Sequence, residues 1–293
     1  ALHSAKADGT GTMSPFDPST ADTFHRRVVV AQQFRKAVEE GDVVPHYQPI
    51  VELGTGKLSG LEALARWHHP TRGVIAPSLY MQVFDDNLIC VELGLLMLQR
   101  ICADMERWTK AGIFFGRVGY NTTGAELKQP GFALNIFNTL AQHGLQTHHL
   151  MLEITETTML NDVDSVVRNQ LEELRDAGVH VALDDFGTGY SSLTHLKSFP
   201  FNVLKIDKSF VKDVMSFESD KSIIRSLIDL GRDIGYSTVA EGIELQAEVD
   251  YLRSVGCERG QGYLFEKPKS ADDIVEFLGK SAAVNHAKSE AAA

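Results

Sequence analysis

The sequence predicts an α/β fold, a TIM-like (β/α)8 barrel with one antiparallel strand near the N-terminus. Three observations carry this expectation. Strand and helix patterns alternate, about eight of each, over roughly 250 residues, more than a small open sheet holds comfortably. The first two strands are joined by the glycine-containing turn Leu53-Gly-Thr-Gly56, which reads as a hairpin. Charged and amide residues recur at one parity of successive strands, as they would where strand ends share a site. A doubly wound sheet is the fold alternative that alternation alone also permits.

Residues 1–23 are rich in Gly, Ser, Thr, Ala and Pro without a period and read as a linker or the remnant of an upstream domain; the barrel is expected over 24–280 and a disordered, Ala-rich tail over 281–293. A helical pattern runs from Phe24 to about Gly41, followed by strands at Val44 to Val51 and Gly60 to Arg66. Val91 to Lys110 is helical, Val118 to Asn121 a strand, Phe132 to His143 helical and Leu150 to Thr155 a strand. Asn161 and Asp162 can cap a helix whose Val163, Val166, Val167, Leu171 and Leu174 share a face before Gly178 stops it. Strands follow at Val179 to Asp185, Val203 to Asp207, Thr238 to Glu241 and Gln261 to Phe265, with helices at Ser222 to Ile234, Leu245 to Val255 and Ala271 to Leu278 between and after them.

Composition narrows the function classes. The chain has 293 residues, 43% of them apolar, enough for a sizeable core. A formal charge of -11 disfavours binding to long nucleic acid, which needs basic grooves. Cys90, Cys102 and Cys257 have neither disulfide nor metal-site spacing, which argues for packed thiols and a reducing cytoplasm. The most apolar stretch, Leu88 to Met105, is broken by Glu92, Gln99, Arg100 and Asp104, so no membrane contact is expected from this segment. Asn121-Thr122-Thr123 matches a glycosylation acceptor, a match that this compartment makes accidental.

The chain is organised around Val179 to Leu193, an apolar strand ending in Asp184-Asp185-Phe186-Gly187. Adjacent strand residues face opposite sides, so the two aspartates share a site only if the strand ends there. Two carboxylates about 4 Å apart repel by a few kcal/mol, and a cation between them removes that cost. The same parity turns Glu153, Asn121, Asp184, Lys205 and Asp207 away from their apolar neighbours. Glu62, Asn121, Glu153, Asp184, Asp185 and Glu241, all at or near strand ends, form an oxygen set suited to Mg²⁺ or Mn²⁺, and the missing His and Cys argue against zinc. Taken singly, each has an ordinary reading: Glu62 paired with Arg66, Lys205 with Asp207, Glu153 or Glu156 on the surface, Asn121 in a turn.

Gln48-Pro-Ile, Glu62-Ala-Leu, Arg66-Trp67, Leu152-Glu-Ile-Thr-Glu156, Asp184 to Leu193, Leu204-Lys-Ile-Asp207, Ala240-Glu-Gly-Ile-Glu244 and Gln261-Gly-Tyr-Leu-Phe265 stand in the order of the bacterial EAL domain, which the chain strongly resembles from about Val28 to Leu278. That family hydrolyses cyclic di-GMP to linear pGpG. Ala5-Lys-Ala-Asp-Gly9 and Phe16-Asp-Pro18 resemble the end of a GGDEF (diguanylate cyclase) domain, which implies an upstream GGDEF or sensory partner.

The resemblance implies that Glu62, Asn121, Glu153 and Asp184 hold one metal, and that Asp184 bridges to a second that Asp185 also ligates. Lys205 and Glu241 would flank the attacking water, with Glu241 as general base. Gln48, Arg66, Asp207 and Gln261 would hold substrate. Glu244 would support the shell, and Glu156 would brace the loop opened by Phe186 and Gly187, which in the family links metal binding to a homodimer. Two Mg²⁺ or Mn²⁺ per site are implied, with Ca²⁺ inhibitory. A receptor of the same fold that binds cyclic di-GMP without cutting it is the alternative; such receptors lack ligands such as Glu62 or the aspartate pair, which this chain keeps. A third reading is an unrelated metal-dependent barrel enzyme. The sequence departs from the family at Thr122-Thr123-Gly124 and around Pro77 to Asn87, on the substrate side.

Overall fold

The computed structural model describes residues 18–156, 158, 165–187 and 199–279. Ten strands are β1 Val43–Glu52, β2 Leu58–His69, β3 Gly73–Ile75, β4 Arg117–Thr122, β5 Leu150–Thr155, β6 His180–Phe186, β7 Val203–Ile206, β8 Ser237–Ala240, β9 Arg259–Gln261 and β10 Lys269–Ser270. The helices are α1 Pro18–Glu40, α2 Asn87–Lys110, α3 Gly124–Leu127, α4 Phe132–Gln142, α5 Ser165–Asp176, α6 Lys208–Lys212, α7 Glu218–Ile234 and α8 Gln246–Ser254, with a further helical run over 273–279. Two 3-10 turns, Pro77–Leu79 and Met81–Asp85, lead into α2.

Eight strands close on themselves in the order β1-β9-β8-β7-β6-β5-β4-β2, with β2 returning to β1. Strand β1 is antiparallel to both neighbours, and the other seven are mutually parallel. This is the expected barrel, with the hairpin supplying the reversed strand; β3 and β10 extend β2 and β1 at its side.

The period of two decides what lies inside. Val118, Tyr120, Leu150, Leu152, Ile154, Val181 and Leu183 turn outward and pack with Leu98, Ile101, Met105, Ile136 and Leu171 of the helices in one buried cluster. A second, smaller set, Ile50, Met151, Ala182, Val203 and Val239, plugs the barrel axis. Helix α2 starts where Asp86 accepts from the backbone N–H of Leu88 at 2.9 Å, which caps the first turn. All three cysteines are buried and free, as expected. Among the described residues no helix is long and apolar enough to cross a membrane.

Four expectations change. Helix α1 begins at Pro18, six residues before Phe24, because Pro suits the first turn of a helix. The last barrel strand ends at Gln261, and Tyr263 to Phe265 turn away: a Cβ on Gly262 would lie 2.0 Å from the Ile243 carbonyl oxygen, so the glycine lets the chain fold back onto that residue. Strand β6 does not stop at the aspartates but runs through Phe186, with a register shift against β7 between Leu183 and Phe186. Short elements at Gly124–Leu127 and Lys208–Lys212, too brief for a clear period, also form helices. The caps Asn161 and Asp162, the loop residues 188–198, residues 1–17 and the tail from 280 lie outside the described residues.

Candidate active site

The C-terminal ends of the parallel strands bring the charged residues together. Lys205, on β7, is fully buried, and its Nζ lies 2.5 Å from Glu153 Oε2, 2.7 Å from Glu241 Oε1, 3.1 Å from Asp184 Oδ1 and 3.7 Å from Glu62 Oε1. Each partner comes from a different strand or strand end, so four connections of the fold meet at one ammonium. Burial by itself would lower the pKa of Lys205, but Asp184, Glu153, Glu241 and Glu62 together hold it well above the usual lysine value. Neither of the ordinary pairings, Glu62 with Arg66 or Lys205 with Asp207, is among the ion pairs of the described residues; Arg66 instead donates to the Ala65 carbonyl.

The bulge in β6 solves the parity problem of the aspartate pair. Asp185 adopts φ 54°, the left-handed region that Asp tolerates better than most residues, and its N–H donates to Asp184 Oδ1 at 2.9 Å. Ligand atoms of Asp184, Asp185 and Glu241 lie within 4.8 Å of one another, as do those of Glu62, Glu153 and Asp184. The two triads share Asp184. Burial, then Asp184 and Asp207, push the Asp185 carboxyl up to about 6. Burial pushes Glu241 up to about 8 against the pull of Lys205.

The oxygen set fits divalent cations. An ammonium has three protons, and four carboxylates surround this one, with Asp185 a fifth nearby. Glu153 Oε1 and Gln261 Oε1 are buried with no hydrogen-bond partner. Glu153 Oε1 fills the space over Gly119, where a Cβ would sit 1.9 Å away. Buried carboxylate oxygens left in this state are costly unless a cation reaches them. Asn121 donates to Glu62 Oε1 at 3.0 Å, which leaves its own oxygen as a further ligand atom.

Gln261 donates to Glu62 Oε2 at 2.5 Å and to Gln48 Oε1 at 3.0 Å, and Gln48 donates to the Glu266 carbonyl. This amide chain links β9, β1 and β2 beside the acids. A cleft of about 370 Å³ opens above them, lined by Gln48, Glu62, Asp184, Asp185, Glu241, Gln261 and, at its rim, the exposed Glu244. Arg66 is outside that lining, half-buried within electrostatic reach of Glu62 and Tyr263. Asp207 is turned to another task, accepting from the Ser209 N–H as the N-cap of α6, on the Asp185 side. Glu156 Oε2 accepts from the Gly187 N–H at 3.0 Å, next to the buried Phe186.

The sequence reading missed Gly119, Lys208 and Tyr263. The last two line the cleft, and Gly119 supports Glu153. Gly119 sits at the inward parity between Arg117 and Asn121, which was the available signal. The departure Thr122-Thr123-Gly124 forms a capping box in which Thr123 and Glu126 satisfy each other's backbone N–H groups, away from the acids.

Residues 31–268 match the EAL domain family. The bifunctional diguanylate cyclase/cyclic di-GMP phosphodiesterase MucR of Pseudomonas aeruginosa is 33% identical over 275 residues, which cover 94% of this chain and 40% of that protein. The solved structure of the PaMucR phosphodiesterase in complex with c-di-GMP aligns at TM-score 0.79 and 35% identity, covering 84% of this chain and 99% of that one. The manganese/cy-diGMP complex of Klebsiella pneumoniae BlrP1 aligns at TM-score 0.69 and 29% identity, covering 78% and 56%. The chain spans 33–40% of the length of the first three curated relatives it matches. A barrel closed by one antiparallel strand, an acidic mouth around a buried lysine and a match over most of its length lead to one conclusion: the chain belongs to the EAL domain family.

Proposed function

We propose that this chain hydrolyses cyclic di-GMP to linear pGpG. The observation that carries the reading is the ring of Glu62, Glu153, Asp184 and Glu241 around Lys205 at the open end of the barrel. The ligands named for the PaMucR and BlrP1 structures, c-di-GMP in both and manganese in one, support it.

Glu62, Asn121, Glu153 and Asp184 would hold one Mg²⁺ or Mn²⁺, and Asp184 with Asp185 a second. Bound there, such a pair makes water a nucleophile at neutral pH and neutralises charge on phosphoryl oxygens. In its carboxylate form, which cations held beside it would favour, Glu241 takes the proton of the attacking water. The water oxygen bonds to phosphorus, the P–O3′ bond breaks, and the 3′ oxygen leaves and takes a proton from solvent water, while Glu241 returns the proton it accepted to solvent. Lys205 stays charged through this cycle and offsets the negative charge that grows on the phosphorane oxygens. Gln48 and Gln261, tied by their mutual hydrogen bond, present amide edges to the substrate, and Arg66 supplies a fork for a phosphate oxygen. Asp207 would contribute by holding Asp185 from behind, and Glu244 by lining the rim.

Glu156 and Gly187 would transmit the state of the site to the loop beyond and so to a homodimer partner. The cyclase part of MucR's name supports a diguanylate cyclase (GGDEF) neighbour in the full-length protein.

The test is direct: incubate the chain with cyclic di-GMP with and without Mg²⁺ or Mn²⁺ and look for pGpG. Metal-dependent pGpG is expected. Tight binding without product under any divalent metal would replace this reading with that of a receptor.

A further inference from the structure

The cleft over the acids carries its charge unevenly. Glu62, Asp184, Asp185, Glu241 and Glu244 line it, and among the described residues that do so Lys208 is the one cation. Lys205 does not line the cleft: it is fully buried, and four carboxylates already hold its ammonium. Cations bound by the acids would neutralise the acids themselves. A substrate with two phosphodiesters, entering a chain of formal charge -11, still has to meet positive charge from the protein at the walls.

Local structure fixes where Lys208 stands. It follows Asp207, the N-cap of α6, just after β7 ends at Ile206. The Asp207 carboxylate accepts from the Ser209 N–H at 2.9 Å, which sets the turn that carries Lys208. Directly after Glu241, Gly242 adopts φ 70°, and a Cβ there would lie 2.4 Å from Lys208 Cβ and 3.3 Å from its Cα. The root of the lysine is therefore packed on the backbone next to Glu241, and only the far end of the side chain is left to move. Lys208 is exposed and forms no ion pair among the described residues. Burial would raise the Asp207 carboxyl, but hydrogen bonds with Ser209 and Asp185 and the charge of Lys208 together pull it below its usual value.

Arg66, the other cation within reach of the mouth, shares the inward parity of Glu62 and Leu64 on β2. From β7 to β2 the ring passes β6, β5 and β4 on one side and β8, β9 and β1 on the other, so Lys208 and Arg66 rise from opposite walls with the acids between them. A cyclic dinucleotide likewise carries its two phosphodiesters on opposite sides of one ring. We infer that Lys208 is a further substrate-binding residue, which takes a phosphodiester oxygen of the cyclic dinucleotide on the Asp185 side of the cleft, across from the fork of Arg66. This role rests on the substrate proposed above but not on its hydrolysis.

The experiment titrates cyclic di-GMP into the full chain by calorimetry in Ca²⁺ and measures KM for pGpG release in Mg²⁺. Lys208→Met should raise both Kd and KM by roughly tenfold, the loss of one charge-assisted hydrogen bond. Lys208→Arg keeps the charge and should stay within about threefold of the parent chain. Lys212→Met, on the same short helix but outside the cleft lining, removes the same charge and should change neither constant, which separates a contact from the general field of the protein. All three variants should melt with the parent, because the replaced side chains are exposed. Binding by Lys208→Met as tight as that of the parent overturns the assignment, as does an equal loss in Lys212→Met or a loss that Lys208→Arg shares in full. A parent that binds the dinucleotide but releases no pGpG overturns the reaction proposed above, while the calorimetry still decides Lys208, so the two fail separately. No heat from the parent up to about 1 mM overturns both.

Discussion

Lys205 Nζ stands 2.5 Å from Glu153 Oε2, and neither side chain has any exposed surface. They come from β7 and β5, on either side of β6, so the pair spans the strand that carries both aspartates. Among the described residues, Glu62, Glu153, Asp184 and Glu241 all ion-pair with this one lysine.

Removing the lysine therefore exposes what holds the acids together. Lys205→Met should cost about 3–5 kcal/mol of stability in EDTA, because it leaves buried carboxylates facing one another. Added Mn²⁺ should recover part of that loss and give the variant a larger metal-induced stabilisation than the parent. Urea melts with and without Mn²⁺ measure both. A variant as stable as the parent in EDTA would show that the cluster is not under electrostatic strain.

Glu62→Ala and Asp184→Asn should each abolish pGpG formation while circular dichroism and melting remain those of a folded barrel, since both sit at the solvent end of the cluster and open no core cavity. Turnover by either variant would refute the metal assignment.

Gly119→Ala places a methyl group where Glu153 Oε1 now lies, with Glu62 Cα 3.5 Å away on the other side. Glu153 must move, so turnover should be lost with a stability cost of about 1–3 kcal/mol. An alanine variant with parental turnover would mean that the position of Glu153 is not critical.

Calcium should bind the oxygen cluster and block turnover, because its larger, irregular shell does not reproduce the compact octahedral arrangement of Mg²⁺. Competition kinetics at fixed Mg²⁺ would measure this. Brisk pGpG release in calcium alone would contradict it.

Glu126 offers a pH test remote from the mouth. It is buried beside a cavity of about 190 Å³ between α2 and α4, and burial pushes its carboxyl from 4.5 to about 7 despite hydrogen bonds from Tyr120 and Thr123. The folded chain holds this proton to a higher pH than the unfolded chain does. Stability should therefore fall as pH rises from about 4.5 to about 7, by about 3 kcal/mol from this group. Glu126→Gln, which can keep the capping box, should lack that component, so the stability difference between variant and parent should change across the window. A constant difference from pH 4.5 to pH 7 would show that Glu126 titrates normally.

Much of this was legible along the chain. Alternation of strand and helix implied the barrel, and the parity of Glu153, Asp184 and Lys205 implied an inward-facing site, because a strand period of two is a local property. The motifs around Glu62, Glu153, Asp184, Lys205 and Glu241 pointed to the same family as the match over 31–268. The route by which Asp184 and Asp185 approach one another is not visible in the sequence: the strand does not end at the pair, and a bulge with Asp185 at φ 54° turns the carboxylates together. Bulges, and turns such as the one after Gln261, depend on contacts across the sheet and leave little trace in periodicity.

The sequence by itself determined which residues are charged, which face of each strand they occupy and in what order the strands follow. Only the tertiary structure decided that Lys205 would bind four acids rather than Asp207, and that Asp207 would cap a helix. The physical reason is closure. Parity is set within a strand, whereas the partners of an inward side chain are set by the radius and stagger of the ring, which bring positions from far along the chain to the same height on one axis.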